Sequence, residues 1–339
     1  MTPPPQLPPS VRVLQLATAS WMAAAVSAAA ELGIADALGD GPRTSDEIAA
    51  AVGAHPPTLY RLLRAGTDVG LFEERDGKVF ANTPVGEALR TDSPTSMRNF
   101  ARWVGLTADR ATWAGLADSV RTGSPAFERM HGQDVWDFMR DHTDVSGVFN
   151  DAMTEASRQL IAPVVDAFDF HDIGTLVDVA GGRGALLSAV LKANPKTRGV
   201  LYDQPEVVAE AAQTFARNGV ADRVEIIGGD FFSSVPPAGD AYLLSNVLHD
   251  WDDESSLKIL ANCRAALGDG GRVLLVEAVM TDGARPNPTV SLMDLNMLVL
   301  CGGQQRTEAE FADLFDRAGL RLTRIVGAGL HSVVEAVRA

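Results

Sequence analysis

Apolar residues fall on nearly every helical face across residues 11–38, with Trp21 and Met22 among many alanines. A helix without a polar face must be covered on all sides, and a second copy of the chain is one way to cover it. Thr44-Ser45-Asp46-Glu47 is a helix-start signal, a hydroxyl followed three residues later by a carboxylate. It predicts a short helix over 47–52, a second over 58–69 stopped at Gly70, and a hairpin over 71–80 that turns at Asp76-Gly77. Helix, turn, helix, hairpin is the order of a winged helix. Over 97–170 the helical spacing returns, rich in Trp103, Trp113, Phe127, Trp136 and Phe149, and the sparse charges over 145–167 predict one long helix.

At Thr175 the period changes. Short apolar runs at 176–180, 199–203, 223–227, 240–245 and 271–277 alternate with helical segments. That alternation is the pattern of an α/β fold with a doubly wound parallel sheet. Residues 320–326 and 332–337 read as an antiparallel hairpin closing one sheet edge. Two domains are expected, a helical winged-helix domain over 1–165 and the sheet domain over 166–339.

Composition narrows the partners. The chain has 339 residues, 22% charged and 46% hydrophobic, which is ordinary globular composition. A net charge of −15 repels phosphate backbones and anionic lipid headgroups. The winged module carries seven acidic residues against five basic ones over 44–90, the wrong balance for a DNA reader. Polar interruptions at Gln15, Thr18, Ser20, Ser27 and Glu31 argue against a membrane span. Cys263 and Cys301 make neither a disulfide framework nor a zinc spacing. A cytoplasmic protein without nucleic-acid or membrane partners is expected.

In open α/β sheets, ligands sit beyond the carboxyl ends of the strands. Three of those ends carry carboxylates: Asp178 before the loop Gly181-Gly182-Arg183-Gly184, Asp203, and Asp230. The loop lacks the third glycine of a dinucleotide site, and no phosphate-loop motif is present. Asp203, 19 residues after Gly184, is placed to accept from ribose hydroxyls, and Asp230 from the amine of an adenine. Three carboxylates without a phosphate cradle suit S-adenosylmethionine better than NAD or ATP.

The segments Asp178-Val-Ala-Gly-Gly-Arg-Gly184, Tyr202-Asp203-Gln-Pro-Glu-Val207, Gly228-Gly-Asp-Phe-Phe232, His249-Asp-Trp-Asp-Asp253, Gly271-Arg-Val-Leu-Leu-Val-Glu277 and Gly302-Gly-Gln-Gln-Arg-Thr307 carry a resemblance over nearly the whole chain. In that order they resemble the S-adenosylmethionine-dependent O-methyltransferases related to plant caffeic acid and isoflavone O-methyltransferases and their bacterial homologues. The resemblance implies a Rossmann-like methyltransferase sheet, an N-terminal winged-helix dimerisation domain, a homodimer, and a small hydroxylated aromatic substrate. It places cofactor contacts on Asp178, Ala180, Gly181, Gly182, Asp203, Asp230 and Phe231. Ala180 stands where the family usually has glycine, and Ser245 where plant members have a cofactor-contacting lysine.

Of the six histidines, only His249 lies just past a parallel strand at the ligand-bearing edge, and it matches the family's catalytic base. Glu277 matches the glutamate that orients it. Gln305 stands where plant members have a second glutamate, a neutral side chain in place of a charge. His249, Asp250, Asp252 and Asp253 could be read as a metal cluster, but consecutive turn residues rarely converge on one ion. Asp252-Asp253-Glu254 suits a helix cap better, and metal-independent chemistry is expected. The resemblance places Phe149, Met153, Asn296 and Met297, with Trp136, along an acceptor pocket between the two halves. A family member with a decarboxylating or hydroxylating activity, or a non-catalytic regulatory winged-helix protein, stays open at this point, kept alive by Gln305.

Overall fold

In the computed structural model, which describes residues 7–281 and 287–339, the Thr44 hydroxyl accepts from the Glu47 N–H while the Glu47 carboxylate accepts from the Thr44 N–H at 2.8 Å. This reciprocal cap starts the helix Ser45–Val52, as the local sequence predicts. A second helix, Pro56–Asp68, and strands β1 (Arg43–Thr44), β2 (Phe72–Arg75) and β3 (Val79–Asn82) complete the winged module, with sheet order β1-β3-β2. Ile48, Leu59, Leu63, Phe72 and Phe80 fill its core.

The apolar N-terminal segment is helical but not one helix. Pro9–Ala17 and Ala19–Leu32 meet at Thr18, and Gly33 ends the second in the left-handed conformation. Within the chain this surface is bare: Val13, Leu14 and Trp21 are 64%, 62% and 74% exposed. By length and mean hydropathy alone Pro9–Leu32 is apolar enough to cross a membrane, but it is two helices joined at Thr18 and carries the polar interruptions noted in the sequence. Its many alanines keep the average apolar in spite of the polar interruptions.

The chain forms two compact units, Met1–Arg110 with Asp144–Glu155, and Ala111–Thr143 with Ala156–Ala339. They do not divide at residue 165, which falls inside the 25-residue helix Thr143–Ala167. Residues 144–155 of that helix belong to the first unit. There the buried Glu155 accepts from the N–H groups of Asn99 and Phe100 at 2.7 and 3.0 Å, from Asn99 Nδ2 at 2.9 Å, and from Ser96 Oγ at 3.3 Å. A remote carboxylate thus caps the helix Arg98–Trp103.

The second unit is built on a seven-stranded sheet. Its strands are β4 (Thr175–Val179), β5 (Arg198–Asp203), β6 (Val224–Gly228), β7 (Ala241–Ser245), β8 (Arg272–Glu277), β9 (Leu320–Ala328) and β10 (His331–Arg338), in the order β6-β5-β4-β7-β8-β10-β9. The first five pair in parallel, and β10 runs antiparallel to both β8 and β9. Alternation within each strand sends Leu176, Leu243, Leu274 and Val276 to one core with Leu187 and Phe215. Val177, Tyr242, Leu244 and Leu275 go to the other face with Ile259, Leu260 and Phe315. Strands buried on both faces read as unbroken apolar runs, which is why β4, β7 and β8 stand out in the sequence. Strand order reverses between β4 and β7, so the carboxyl ends of β4, β5, β7 and β8 border the switch point.

Glu155→Ala should lower the stability of the intact chain by about 2–3 kcal/mol, since it strands two backbone donors and two side-chain donors. Glu155→Gln, which keeps one acceptor oxygen, should lose less. Urea denaturation followed by circular dichroism measures both, and an unchanged midpoint for Glu155→Ala would contradict the capping role.

Candidate active site

Asp178, one residue before the end of β4, is 1% exposed, and its carboxylate has only the Leu187 N–H as a nearby donor, with neither oxygen in a well-formed hydrogen bond. Burial, reinforced by the charge of Asp203, pushes its pKa up to about 8. The chain then turns through Ala180 and Gly182, both at positive φ (55° and 59°), and Ala180 N–H donates to Tyr202 O at 2.8 Å. Gly181 lies so close to Asp178 that a Cβ there would meet a carboxylate oxygen at 2.5 Å. Asp203 ends β5 with its oxygens accepting from Gly182 N–H at 2.8 Å and Gln204 N–H at 2.7 Å. Burial raises its pKa too. A carboxylate has about four lone-pair directions, so both oxygens of Asp203 keep capacity for another donor.

Asp230 sits differently. It is exposed, and its oxygens accept from Phe232 N–H and Ser233 Oγ, both at 2.9 Å, which closes the turn after β6. Asn262 Nδ2 holds the same turn by donating to the Phe231 and Phe232 carbonyls at 2.8 and 3.1 Å. Phe231 and Phe232 meet Trp251 edge-on, with centroids at 6.0 and 4.7 Å, and Trp136 stacks on the same indole at 6.0 Å. Trp251, which the sequence did not single out, therefore joins the candidate cofactor residue Phe231 to the candidate substrate residue Trp136. Ser245 is half-buried at the end of β7, opposite Val276 in register.

His249 lies in a 3₁₀ turn, Leu248–Asp250, and is 9% exposed. Its Nδ1 faces Gln305 Nε2 at 2.9 Å and Glu277 Oε2 at 3.4 Å, and its Nε2 faces Asp250 Oδ1 at 3.4 Å. Glu277, fully buried at the end of β8, also accepts through Oε1 from the Val247 and Leu248 N–H groups at 3.1 and 3.0 Å. One glutamate thus holds both the backbone that carries the ring and the ring itself. Burial, helped by the charges of His331 and Arg306, drives the imidazole pKa down to about 3. Burial lifts Glu277 to about 7, against the opposing pull of the Val247 and Leu248 N–H groups and Arg306. Asp250 is pushed well above the usual carboxylate range by burial and by Glu277.

Asp252 accepts from Ser255 N–H at 2.8 Å and caps the helix Asp253–Ala266, as the sequence reading has it. Among the described residues, no group of three or more His, Cys, Asp and Glu side chains is arranged to hold a metal ion. Asn296 Oδ1 accepts from Trp113 Nε1 at 3.0 Å, which fixes that amide, and Met297 is buried on the same helix, Pro288–Leu300. Phe149 and Met153 belong to the other unit, where Phe149 lies edge-on to Trp103 at 5.0 Å. Sequence reasoning passed over Asp294, which accepts from Gln305 N–H at 2.8 Å, and did not single out His331. His331 is half-buried with Nε2 3.0 Å from Oδ1 of Asn246, three residues before His249.

Ala180 pays for its left-handed backbone, at about 1–2 kcal/mol for a residue with a Cβ. Ala180→Gly removes that strain and adds freedom to the unfolded chain, so a net gain of roughly 0.5–1 kcal/mol is expected. A lower thermal midpoint than wild type would contradict strain at this position.

Three comparisons bear on what this arrangement does. The O-methyltransferase domain family matches residues 113–321, and the O-methyltransferase dimerisation domain family matches 14–92. The chain is 42% identical over 332 residues to the phenazine O-methyltransferase PhzM of Lysobacter antibioticus, covering 97% of this chain and 96% of that one. It is 37% identical over 313 residues to 8-amino-8-demethylriboflavin N,N-dimethyltransferase of Streptomyces davaonensis, covering 91% and 89%. It resembles the solved structure of an O-methyltransferase from neocarzinostatin biosynthesis in complex with S-adenosylmethionine and 2-hydroxy-5-methyl naphthoic acid. That likeness has a TM-score of 0.79 at 36% identity and covers 93% and 95% of the two chains.

Proposed function

The chain belongs to the S-adenosylmethionine-dependent O-methyltransferase family, and from that premise we propose that it methylates a hydroxyl on a small, flat aromatic acceptor with His249 as the base. The observation that carries this reading is the buried imidazole at the switch edge, flanked on Nδ1 by Glu277 and Gln305. A relative named for a phenazine, another for a demethylriboflavin, and a neighbour holding a hydroxynaphthoic acid support the acceptor class. Relatives that are methyltransferases over nearly the full chain weigh against a regulatory or non-methylating role.

The residues at the carboxyl edge fit the cofactor. Asp178 and Asp203 are two carboxylates crowded under one loop, and neither Asp178 oxygen is in a well-formed hydrogen bond. Such a cradle suits a ligand that brings a cation and hydroxyl donors. Asp203 would take the ribose, the backbone of Ala180-Gly181-Gly182 would line the approach, and Asp230, Phe231 and Ser245 would border the adenosine. When bound, S-adenosylmethionine supplies an electrophilic methyl group on a sulfonium.

His249 takes the acceptor's proton as the new bond forms. A phenol holds its proton near pKa 10, far above the buried imidazole at about 3, so transfer is favourable only as charge leaves the oxygen and the imidazolium is balanced by its neighbours. The accepting atom is Nε2, which requires the resting proton to sit on Nδ1. Written with Gln305 Nε2 donating to Nδ1, the ring carries its proton on the wrong atom, and Gln305 Oε1 and Glu277 Oε2 are both left buried without a donor. Turning the amide over gives Gln305 Oε1 the Nδ1–H, sets Glu277 beside the same proton, and frees Nε2. Glu277 then balances the imidazolium. Gln305 holds the ring without adding charge, which favours an acceptor more acidic than a simple phenol. Asn296, Met297 and Trp136, and by resemblance Phe149 and Met153, are assigned to the acceptor.

His249→Ala should cut methyl transfer from labelled cofactor to a panel of phenols by about 10²–10⁴-fold with little change in cofactor affinity. Equal transfer by variant and wild type would reject the base. Activity should fall on the acid side as Glu277 takes up a proton near pH 7, because the neutral carboxyl no longer balances the imidazolium. His249 itself, down at about 3, adds no limb in the working range. Glu277→Gln should be slow and lack that limb.

We propose further that the bare N-terminal helices are the core of a homodimer, since the dimerisation-domain match covers 14–92 and the exposed residues Leu14, Leu16, Trp21 and Met22 lie within it. Leu14→Asp with Trp21→Asp should halve the mass measured by light scattering in detergent-free buffer. A monomeric wild type, or a variant that stays dimeric, would contradict this.

A further inference from the structure

Resting on the catalytic reading above, we propose that Arg306 is a positioning residue for methyl transfer, acting on His249 through the backbone that carries it. Arg306 is among the largest fully buried side chains, at 1% exposure. Its guanidinium donates to Leu248 O at 2.8 Å and Trp251 O at 2.9 Å, the carbonyls on either side of His249-Asp250. It also reaches Asp253 Oδ1 at 3.0 Å and Ser256 Oγ at 3.3 Å. A planar fork with five donors can bracket a turn in this way, and a point-charge ammonium cannot.

The loop that bears Arg306 is pressed onto the same turn from the other end. A Cβ on Gly303 would lie 2.0 Å from His249 O and 2.5 Å from the Asp250 carbonyl carbon, so only glycine lets the two backbones meet. Between these contacts Gln305 reaches the ring, and Met280 N–H donates to Arg306 O at 2.9 Å, just beyond the end of β8 that carries Glu277. The segment 303–306 therefore locks ring, turn and glutamate as one body.

Arg306 also places a fixed positive charge where the proton moves. The groups facing His249 are Glu277 from β8, Asp250 from its own turn, His331 from β10 and Arg306, with Cys301 behind Asp250 at 4.0 Å. The guanidinium charge disfavours protonation of both His249 and Glu277. Its partly exposed counterion, Asp253, screens that influence.

Two substitutions should therefore move the acid limb of kcat/KM in opposite directions. Arg306→Gln removes the charge, lets Glu277 protonate more easily and shifts the limb to higher pH by about one unit. Asp253→Asn unscreens Arg306 and shifts it to lower pH. Arg306→Lys should keep the limb near its wild-type position and lower kcat, because the charge stays and the fork is lost. The second readout is the ¹⁵N spectrum of labelled histidine in the cofactor-free chain, with His249 assigned through His249→Gln. Wild type should give one defined tautomer, and Arg306→Gln and Arg306→Lys an averaged or altered one. Unchanged His249 shifts in both Arg306 variants would overturn the proposal, as would limbs that fail to move in opposite senses. If Arg306→Gln does not fold, the Asp253→Asn limb and the Arg306→Lys spectrum decide between the same outcomes. Altered tautomers in the Arg306 variants, with a wild-type chain that transfers no methyl group, would reject the catalytic reading and leave Arg306 as a positioning residue for the His249 ring.

Discussion

His249, the base proposed above, rests uncharged because it is buried, and burial makes every neighbouring charge costly as well. That constraint organises the carboxyl edge of the sheet. His249 loses its affinity for a proton mainly by burial, and the same burial makes Glu277 and Asp250 reluctant to ionise. Left alone, two reluctant carboxyls and a neutral ring would form no proton-transfer device. The Val247 and Leu248 N–H groups and the Arg306 charge supply what water would otherwise provide, so that Glu277 sits near half-ionisation rather than fully neutral.

The centre of the sheet was legible because β4, β7 and β8 are buried on both faces. Residues 176–180, 240–245 and 271–277 are apolar runs that need no knowledge of their neighbours to be read, and the Thr44 and Asp252 caps are signals within four residues. The unit boundary was not legible. Helix Thr143–Ala167 is uniform in sequence, and what divides it is which partners it meets, among them Glu155 reaching the start of a helix 55 residues earlier. The bare N-terminal helices posed a different problem: the sequence reading could see that they need covering, but a lone chain has nothing to cover them with.

Within the site, the side chains that act by their own chemistry were visible and those that act on backbone were not. His249, Glu277 and Gln305 stand out as residue types at strand ends, and they meet. Arg306 bonds mainly to carbonyls, Asp294 and Asn262 to loop backbone, and His331 to a neighbouring amide. Backbone groups are present at every position, so such contacts leave no spacing to recognise. Gly302-Gly303 just before Gln304-Gln305-Arg306 was the one usable hint, since paired glycines mark a place where something approaches too closely for a Cβ. Asp230 shows the converse: a carboxylate in the right order along the chain spends both oxygens on its own turn, so whatever it offers a ligand comes from the lone pairs left over.

The two carboxylates under the Ala180 loop follow the same electrostatic logic as the base, with the sign reversed. The charge of Asp203 adds to the cost of ionising buried Asp178, burial and Glu206 raise that of Asp203, and among the described residues neither forms an ion pair with an arginine or lysine. With its pKa lifted to about 8, Asp178 rests largely protonated at neutral pH, and a cation or hydroxyl donor brought under the loop would favour its ionised form. On the cofactor reading proposed above, a ligand carrying a sulfonium would favour that form more than its neutral demethylated product. The left-handed Ala180 backbone and the buried Asp178 both cost the fold stability, and both lie at the one loop proposed to hold the cofactor.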